Sequence, residues 1–535
     1  MSLRSGSLPE RPALDDPVAS PIQSYLDQLH RRHAAARDGA VATYIPELAK
    51  ADPDWFGISI ATTDGKVYAA GDTSQSFTIQ SISKPFTYGL ALEDVGRDAV
   101  HKKIGVEPTG DAFNSISLER GSGRPLNPMI NAGAIAAASL VAGHSQHDKF
   151  HRLLSVYSLY AGRDLSLDRA VYESEKQTGH RNRAIAHMLR NFDILTGDPE
   201  APLDLYFRQC SIAVDSRDLS IMAATLANGG VNPLTGERAI RRDFVEHLLS
   251  VMTTCGMYDY AGEWLYWVGL PAKSGVAGGL LAVLPGQLGI GIFSPPLDAR
   301  GNSVRAVRAC KDLSRDFQLH FLRVPRSAGF GLRRQSSLAQ LSSKRVRDER
   351  ERRHLDAIGD RVRVYDLQGD LVFSVIEALI GRILEAKPPL RFAIVDLRRV
   401  TRIDEWVAGL FARLVLELAC SGRGVIFVDA GRLRRFLRQL EEQLATADRQ
   451  ERLLAFSDLD AAVEWCENRL LAESGMGPPS KAITLSAHGL CRGLSPEAVG
   501  ELESVLVKRS FAPGELIIRS GEPADRLFLL VRGEV

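Results

Sequence analysis

A serine three residues ahead of a lysine, in the sequence "TIQSISKPFTY" at 78–88, is the feature of this chain that most suggests chemistry. The extended run Phe77–Ile79 favours a strand, whereas Pro85 and the apolar residues after it favour the first turns of a helix. Ser81 and Lys84 are therefore predicted to open a helix, at i and i+3 on one face. A serine hydroxyl becomes a nucleophile when a base takes its proton, and a lysine is such a base only when burial or a nearby cation lowers its pKa. The pair predicts an acyl-enzyme, with a helix cap beside a solvated cation as the alternative.

A second stretch, "AKSGVAGG" at 272–279, offers what a serine nucleophile needs next. It predicts a strand followed by glycine backbone, where an N–H can approach a reacting carbonyl closely. A Ser-x-x-Lys before a helix and a later Lys-Ser-Gly together resemble the serine β-lactamases and penicillin-binding proteins. The chain contains no Ser-Asp-Asn, Ser-x-Asn or Tyr-x-Asn. Because that third element is missing, β-lactam hydrolysis is not expected.

A narrower family fits more of the chain. Eight sequences occur in the order and at about the spacing of the serine-dependent glutaminases: "YIPELA", "GDTSQSFTIQSISKPF", "EPTGDAFNS", "PLNPMINAGAI", "ESEKQTGHRNRAIA", "YFRQCSIAV", "CGMYDYAGEW" and "AKSGVAGG". The chain resembles this family from residue 44 to residue 279. The resemblance implies a β-lactamase-like (α+β) fold and hydrolysis of L-glutamine to L-glutamate and ammonia.

The same resemblance implies the residues that do the chemistry. Ser81 attacks the side-chain amide carbonyl and Lys84 takes its proton. Tyr44 and Tyr258 match the active-site tyrosines of the family and support proton transfer to the departing ammonia. The backbone N–H groups of Ser81 and Val276 form the oxyanion hole.

Four further residues match those that hold the amino-acid end of the substrate. They are Asn131, Glu175, Asn182 and Tyr206, and with Ser81, Tyr258 and Val276 they complete the expected substrate-binding set. A carboxylate suits the substrate ammonium, while amides and a tyrosine hydroxyl can donate to its carboxylate. Taken singly, each has a structural alternative: helix caps for the asparagines, a solvated charge for Glu175 and a core aromatic for Tyr206.

The composition is that of a globular protein of roughly two to four domains. A net charge of +1 gives no support for a nucleic-acid or anionic-membrane partner. The N-terminal sequence has no apolar h-region, so a secretory signal is not expected. Six cysteines without metal-ligand spacing predict free thiols in a reducing cytoplasm. The apolar stretch 274–296 is predicted to form two buried strands joined by a Pro-Gly turn rather than a membrane span.

The sequence divides into a glutaminase domain at 20–325, a serine-rich and charge-dense linker at 326–354, a small α/β domain at 355–472 and a β-rich segment at 482–535. The third part resembles a STAS domain through "VYDLQGDLVFSVIEAL", "AIVDLRRVTRIDEWVAGLF" and "GVIFVDAG". Phosphorylatable members carry serine or threonine where this chain has Asp404-Glu405-Trp406, so phosphorylation is not expected there, and Thr401 is the alternative site. The last part resembles the opening of a cyclic-nucleotide-binding domain, a truncated β-roll without its phosphate-binding cassette, so nucleotide binding is not assigned.

The expected fold is thus multidomain α/β, and the expected substrate is L-glutamine. The resemblance also implies a homo-oligomer, a dimer or tetramer, and the chemistry requires no metal or organic cofactor. A regulatory ligand or protein at the STAS-like domain is a hypothesis. Two alternatives remain open: a β-lactamase-like amidase acting on another small amide, and a catalytically silent glutamine sensor or scaffold.

Overall fold

A computed structural model describes residues 20–532 of the chain, apart from 110–117, 324–330, 346, 430, 432, 446–452, 477–483, 492, 513, 520, 522 and 524. Part of the sequence "EPTGDAFNS" and part of the predicted linker lie outside the described residues. In the first part of the chain the strands are β1 (Gly57–Thr62), β2 (Val67–Gly71), β3 (Phe77–Thr78), β4 (Ser166–Leu167), β5 (Ile212–Val214), β6 (Ala272–Ser274), β7 (Gly279–Leu284) and β8 (Leu288–Phe293). Its helices are α1 (Pro21–Ala34), α2 (Ser83–Val95), α3 (Arg97–Lys103), α4 (Asn131–Ser139), α5 (Gln146–Ala161), α6 (Arg169–Thr178), α7 (His180–Asn191), α8 (Glu200–Cys210), α9 (Ser216–Ala227), α10 (Arg242–Cys255), α11 (Ala261–Trp267) and α12 (Val304–Phe317).

A five-stranded antiparallel sheet, in the order β2-β1-β8-β7-β6, forms the frame of this part. Helices α1, α11 and α12 cover one face, and α9 lies directly on the other. The close approach of α9 depends on glycine: a Cβ at Gly289 would lie 2.2 Å from the Ala224 nitrogen, and one at Gly291 would lie 2.2 Å from the Ser216 oxygen. The helices α2, α4, α5, α7, α8 and α10 build a second core beside α9.

The apolar stretch 274–296 folds as its pattern predicts. Strands β7 and β8 are buried throughout and pair antiparallel across a turn at Pro285-Gly286, where Gly286 has φ +76°. Helix α4, in "INAGAIAAASLVAG", is almost wholly buried. Among the described residues, no helix combines the length and the hydropathy that crossing a bilayer requires.

The second part of the chain is built on another five-stranded sheet. Its elements are β9 (Leu332–Ser337), α13 (Glu349–Ile358), β10 (Val362–Leu371), α14 (Phe373–Leu384), β11 (Phe392–Ile403), α15 (Glu405–Cys420), β12 (Gly424–Val428), α16 (Arg434–Ala445), β13 (Leu454–Phe456) and α17 (Leu459–Glu473). Strands β10 to β13 run parallel, and β9 joins the edge of β10 antiparallel. Helices α14, α15 and α16 pack on one face of this sheet, and α13 and α17 pack on the other.

Part of the predicted linker belongs to this sheet. Residues Leu332–Ser337 are an edge strand rather than a connector, with Arg333 facing outward to an ion pair with Asp366 at 2.5 Å. Arg347 is buried and pairs with Glu467 of α17 at 2.9 Å. Edge strands carry charged side chains more readily than central strands. A charge-dense edge strand therefore has the composition of a linker, which is why the sequence predicts a linker here.

The two parts share a continuous apolar core. The sheet of the first part donates a hydrogen bond from the Tyr68 hydroxyl to Glu377 of α14, at 2.6 Å. The ring of Phe317, at the end of α12, lies 5.1 Å from that of Phe373 and 5.7 Å from that of Trp406. Helices α14 and α15 are therefore attached to the back of the first part by aromatic packing and by polar contacts, among them the buried one between Tyr68 and Glu377.

The C-terminal segment differs from the β-rich expectation. It contains α18 (Pro496–Val505), and the described residues of 506–532 contain no strand. Leu516, Ile518 and Leu527 are exposed there. A strand needs a neighbouring strand to accept its hydrogen bonds, and the described residues offer this segment none.

Candidate active site

The predicted nucleophile lies on a tight turn at the entrance to α2. Strand β3 ends at Thr78, a 3₁₀ turn spans Gln80–Ile82, and α2 begins at Ser83. Ser81 thus sits on the turn rather than in the α-helix itself, and Lys84 lies in the first turn of α2. Gln80 holds the turn with φ +50°, a left-handed conformation that non-glycine residues seldom adopt.

Lys84 has the environment that a lysine base requires. Its side chain is completely buried, and its Nζ donates to the Met129 carbonyl at 3.1 Å and to Asn131 Oδ1 at 2.7 Å. Burial lowers the pKa of Lys84 to about 8, although the Cys210 thiol and the Glu175 carboxylate act in the opposite direction. An amine with this pKa is neutral in a large fraction of molecules near pH 8 and can then accept a proton.

Tyr258 lies beside Ser81. It opens a short 3₁₀ helix with φ +58°, donates its hydroxyl to the Ser274 carbonyl at 2.8 Å and is hydrogen-bonded to the Ser81 hydroxyl. Burial raises the pKa of Tyr258 above its ordinary value, and the hydrogen bond with Ser81 lowers it in part. Tyr258 is therefore placed to pass a proton to or from Ser81.

The Lys-Ser-Gly strand borders the same turn. A Cβ on Gly275 would lie 3.1 Å from both the Ile79 carbonyl oxygen and the Ile82 side chain, so the loop after β6 abuts the turn that carries Ser81. In this loop the N–H of Gly275 bonds to Gly279 and that of Gly278 bonds to Gly275. The N–H of Val276 has no acceptor within the part of the chain that the structure describes, and an oxyanion hole needs such a free donor.

The residues expected to hold the amino-acid end lie next to Lys84. Asn131, the first residue of α4, donates from Nδ2 to Asn182 Oδ1 of α7 at 2.9 Å. Glu175 of α6 is buried, and its Oε2 has no partner among the described residues. Burial raises the pKa of Glu175 to about 8, against a hydrogen bond from Gln80 and the charge of Lys84, which lower it. A buried carboxylate oxygen without a donor is a group that a substrate ammonium would satisfy.

Two tyrosines complete this set. Tyr206 of α8 is buried, and burial followed by Cys210 and Glu175 raises its pKa. Tyr44 is the exposed member, with 55% of its surface accessible. Desolvation, followed by the nearby Glu175 and Tyr258, raises the pKa of Tyr44, so its hydroxyl lies close to both groups although much of the side chain is exposed. The structure thus brings all nine residues named from the sequence into one region.

Sequence reasoning missed a second buried lysine in this region. Lys273 of β6 is completely buried, donates to the carbonyls of Gly256 and Ser274 at 3.0 and 2.8 Å, and lies 4.0 Å from the centroid of the Tyr258 ring. Burial and then repulsion by Lys84 lower its pKa well below the ordinary lysine value. Lys273 stands in the Lys-Ser-Gly sequence, so the motif was the signal, but its burial could not be read from it.

A polar network that the sequence does not reveal anchors the helix of Lys84. The Tyr157 hydroxyl donates to the Ser83 carbonyl at 2.7 Å, Thr87 donates to Gln209 at 2.7 Å, and Gln209 donates to the Ser83 hydroxyl at 3.2 Å. These bonds join α2 to α5 and α8 and fix the position of its first turn. Within the described ranges, no group of three or more metal-ligating side chains is present.

Comparisons with known proteins show the family of the chain. The sequence profile of the family described as Glutaminase matches residues 39–322. Glutaminase 1 of Bradyrhizobium diazoefficiens is 43% identical over 516 residues, which cover 96% of this chain and 83% of that protein. The glutaminase of Trichormus variabilis is 56% identical over 301 residues, which cover 56% of this chain and 90% of that protein.

Solved structures with a similar fold include a probable glutaminase. The crystal structure of Mglu in its glutamate form has a TM-score of 0.57 and 40% identity and covers 76% of this chain and 98% of that one. The probable glutaminase ybaS has a TM-score of 0.54 and 44% identity and covers 55% of this chain and 96% of that one. The α/β fold of the first part therefore has counterparts among solved glutaminases.

Proposed function

This chain belongs to the glutaminase family, and from that premise we propose that it hydrolyses L-glutamine to L-glutamate and ammonia through an ester on Ser81. The observation that carries the proposal is the burial of Lys84 one helical turn from Ser81, with a pKa lowered to about 8. A serine beside a neutral buried amine is an activated nucleophile.

In the acylation step, Lys84 Nζ takes the proton of Ser81 Oγ, and Oγ bonds to the amide carbon of the substrate. The oxyanion that forms accepts from the N–H groups of Ser81 and Val276. Collapse of this intermediate breaks the carbon–nitrogen bond, and the leaving nitrogen receives a proton from protonated Lys84 through the Tyr258 hydroxyl. Tyr44 assists this transfer from the solvent side. Ammonia leaves, and Lys84 is neutral again.

In the deacylation step, a water molecule attacks the ester carbon while Lys84 or a tyrosine takes its proton. The ester carbon–oxygen bond breaks, and the proton returns to Ser81 Oγ, releasing L-glutamate. The solved structure of Mglu in its glutamate form supports the identity of this product.

Substrate selection rests on the polar set around Lys84. Glu175 pairs with the α-ammonium, and Asn131, Asn182 and Tyr206 donate to the α-carboxylate. The unpartnered Oε2 of Glu175 supports this assignment, because a buried carboxylate gains most from a cationic partner.

The test is to incubate the protein and its Ser81→Ala variant with L-glutamine, L-asparagine and a chromogenic β-lactam, following ammonia release and ring opening. We expect ammonia from L-glutamine and none from the variant. Glutamine binding without ammonia would identify a sensor instead. Ring opening or turnover of another amide, with no glutamine turnover, would identify a different amidase.

For the rest of the chain, we infer a STAS-like domain from β9 to α17, supported by a sheet of four parallel strands with helices on both faces. The likeness of the C-terminal segment to a cyclic-nucleotide-binding domain rests on its sequence alone. We further infer a cytoplasmic location, supported by the free thiols of Cys210, Cys310 and Cys466. A homo-oligomer is inferred from the resemblance to the family alone. Light scattering after size exclusion tests the assembly, and the mass of a single chain would contradict it.

A further inference from the structure

The surface loop at residues 38–53, which we call the Tyr44 loop, packs against the candidate active site. Its buried apolar side chains form one cluster with residues of the site: Ala42, Ile45 and Leu48 from the loop, and Val171, Val276 and Ala277 from the site. Val276 carries the proposed oxyanion donor, and Val171 lies one helical turn before Glu175 on α6. The loop therefore rests on the two elements that would hold the reacting carbonyl and the substrate ammonium.

The two ends of the Tyr44 loop are tied to the body of the protein by Arg305 of α12, whose side chain is almost completely buried. Arg305 donates to the Ala36 carbonyl, just before the loop, from Nε at 3.1 Å and from Nη2 at 2.7 Å. Its Nη1 donates to the Pro53 carbonyl, at the far end of the loop, at 2.8 Å and to Ser294 Oγ at 3.2 Å. Because a guanidinium carries rigidly spaced donors on three nitrogens, it can bind both ends at once.

The environment of Arg305 makes these bonds important for the position of the loop. A buried charge costs free energy unless hydrogen bonds replace its water, and here backbone carbonyls supply them. The carboxylate of Asp54 lies 3.9 Å from Arg305, but it is largely exposed and compensates little. Arg308, one turn further along α12, pairs with Asp38 at 2.6 Å, and both of these side chains are exposed, so this ion pair also contributes little.

Tyr44 lies in the middle of the loop, and its position depends on the backbone that carries it. More than half of its side-chain surface is exposed, while its hydroxyl lies close to Glu175 and Tyr258. A displacement of about 1 Å in a group that takes part in a reaction can lower the rate by about a hundredfold. Whatever fixes the ends of the loop therefore bears on the reaction.

We propose that Arg305 is a positioning residue for glutamine hydrolysis, which holds both ends of the Tyr44 loop so that the Tyr44 hydroxyl stays beside Glu175 and Tyr258. This role rests on the proposed function of the site, in which Tyr44 assists proton transfer to the leaving nitrogen. Arg305 bonds to backbone carbonyls and a serine hydroxyl, so it acts through Tyr44 and not on the substrate.

Hydrogen–deuterium exchange of the full chain measures the clamp without any turnover. In the unaltered protein, amides of the Tyr44 loop should exchange at least about a hundredfold more slowly than those of an unstructured peptide. Arg305→Met keeps the apolar stem and removes the donors, so it should speed exchange of the loop by at least about tenfold while β7 and β8 keep their rates. Arg305→Gln, too short to reach both ends, is a second variant with the same expected result. The matched control is Arg308→Met, which should leave the exchange of the loop unchanged.

A double-mutant cycle measures whether Arg305 acts through Tyr44. Arg305→Met and Tyr44→Phe should each lower kcat/KM for L-glutamine by about tenfold to a hundredfold. The double variant should then lie within about threefold of the lower single variant, because both changes remove the same contribution. Losses that multiply would show a merely structural role for Arg305 and overturn the proposal. Arg308→Met should keep the kcat/KM of the unaltered protein.

The exchange and kinetic experiments separate this proposal from the proposed function. Fast exchange of the Tyr44 loop in the unaltered protein would overturn the clamp, and so would exchange that neither Arg305 variant changes. Equal loosening by Arg308→Met would assign the tie to the exposed ion pair and overturn it as well. Absence of ammonia release by the unaltered protein would instead contradict glutamine hydrolysis, and the exchange rates alone would then decide whether Arg305 holds the loop.

Discussion

Replacing Asn131 by aspartate should move the pH dependence of the reaction without removing the nucleophile. Asn131 Oδ1 accepts from Lys84 Nζ at 2.7 Å, so Asn131→Asp puts a carboxylate in contact with the amine. A nearby opposite charge favours the charged form of a group, and therefore the pKa of Lys84 rises. A contact of this kind changes a pKa by roughly one to three.

The size of the effect follows from the present pKa of Lys84, about 8. At pH 8 roughly half of the molecules carry neutral Lys84; if the pKa rises to about 10, roughly one in a hundred does. The expected kcat at pH 8 is thus lower by about fiftyfold. It should recover as the pH is raised toward 10, because the base is only protonated and not displaced.

The assay is kcat for ammonia release from L-glutamine between pH 6 and 10.5. Asn131→Ala is the matched control, since it removes the amide without adding charge and should leave the rising limb of kcat at or below its original pH. A rising limb at the same pH in Asn131→Asp and the unaltered protein would refute the role of Lys84 as the base.

Three further substitutions follow from buried contacts. Glu175→Gln removes the proposed partner of the substrate ammonium and should lower kcat/KM about tenfold to a hundredfold, and an unchanged KM would contradict the assignment. The unfolding free energy of this variant at pH 9 should equal or exceed that of the unaltered protein. The reason is that the pKa of Glu175 is raised in the folded state, so ionised Glu175 costs stability as the pH rises from the pKa of the unfolded chain to about 8. Tyr68→Phe removes the donor to a buried carboxylate and should cost about 1–3 kcal/mol in urea unfolding, whereas Tyr266→Phe, at an exposed position, should cost nothing measurable; equal losses would count against the interdomain contact. Gly256→Ala puts a Cβ 1.8 Å from a carbonyl oxygen of β6 and should reduce activity more than tenfold, while Gly262→Ala, with open space around it, should not; similar activity in both would show that β6 tolerates displacement.

Local patterns in the sequence were sufficient to predict the turn that carries Ser81 and Lys84, whereas their roles as nucleophile and base come from the resemblance to the glutaminases. The spacing of Ser81 and Lys84, with Pro85 after them, fixes a turn of helix whatever the distant chain does. The paired strands β7 and β8 follow in the same way from two apolar runs around Pro285-Gly286. Features that depend on a few neighbouring residues are those that a single sequence determines best.

Features that depend on distant packing could not be read from the sequence. The burial of Lys273 results from Tyr258 and Gly256 folding over it, and nothing in "AKSG" distinguishes it from a solvated lysine. Strand β9 has the composition of a linker because only its last two residues, Ser336 and Ser337, are buried. The clamp of Arg305 on the Tyr44 loop exists only because residues far apart in the sequence meet there.

Lys84 and Glu175 together predict different pH profiles for kcat and kcat/KM. Both pKa values are about 8 in the empty site, and both groups must lose a proton: Lys84 to act as base, Glu175 to pair with the ammonium. Below pH 8, log kcat/KM should therefore rise with a slope approaching two, since it reports the free enzyme. In the substrate complex the ammonium holds Glu175 ionised, so log kcat should rise with a slope of one. Steady-state kinetics from pH 5.5 to 8 measures both slopes. A slope of one in both profiles would mean that Glu175 is already ionised in the empty site, and the unpartnered Oε2 would then need another explanation than the waiting substrate.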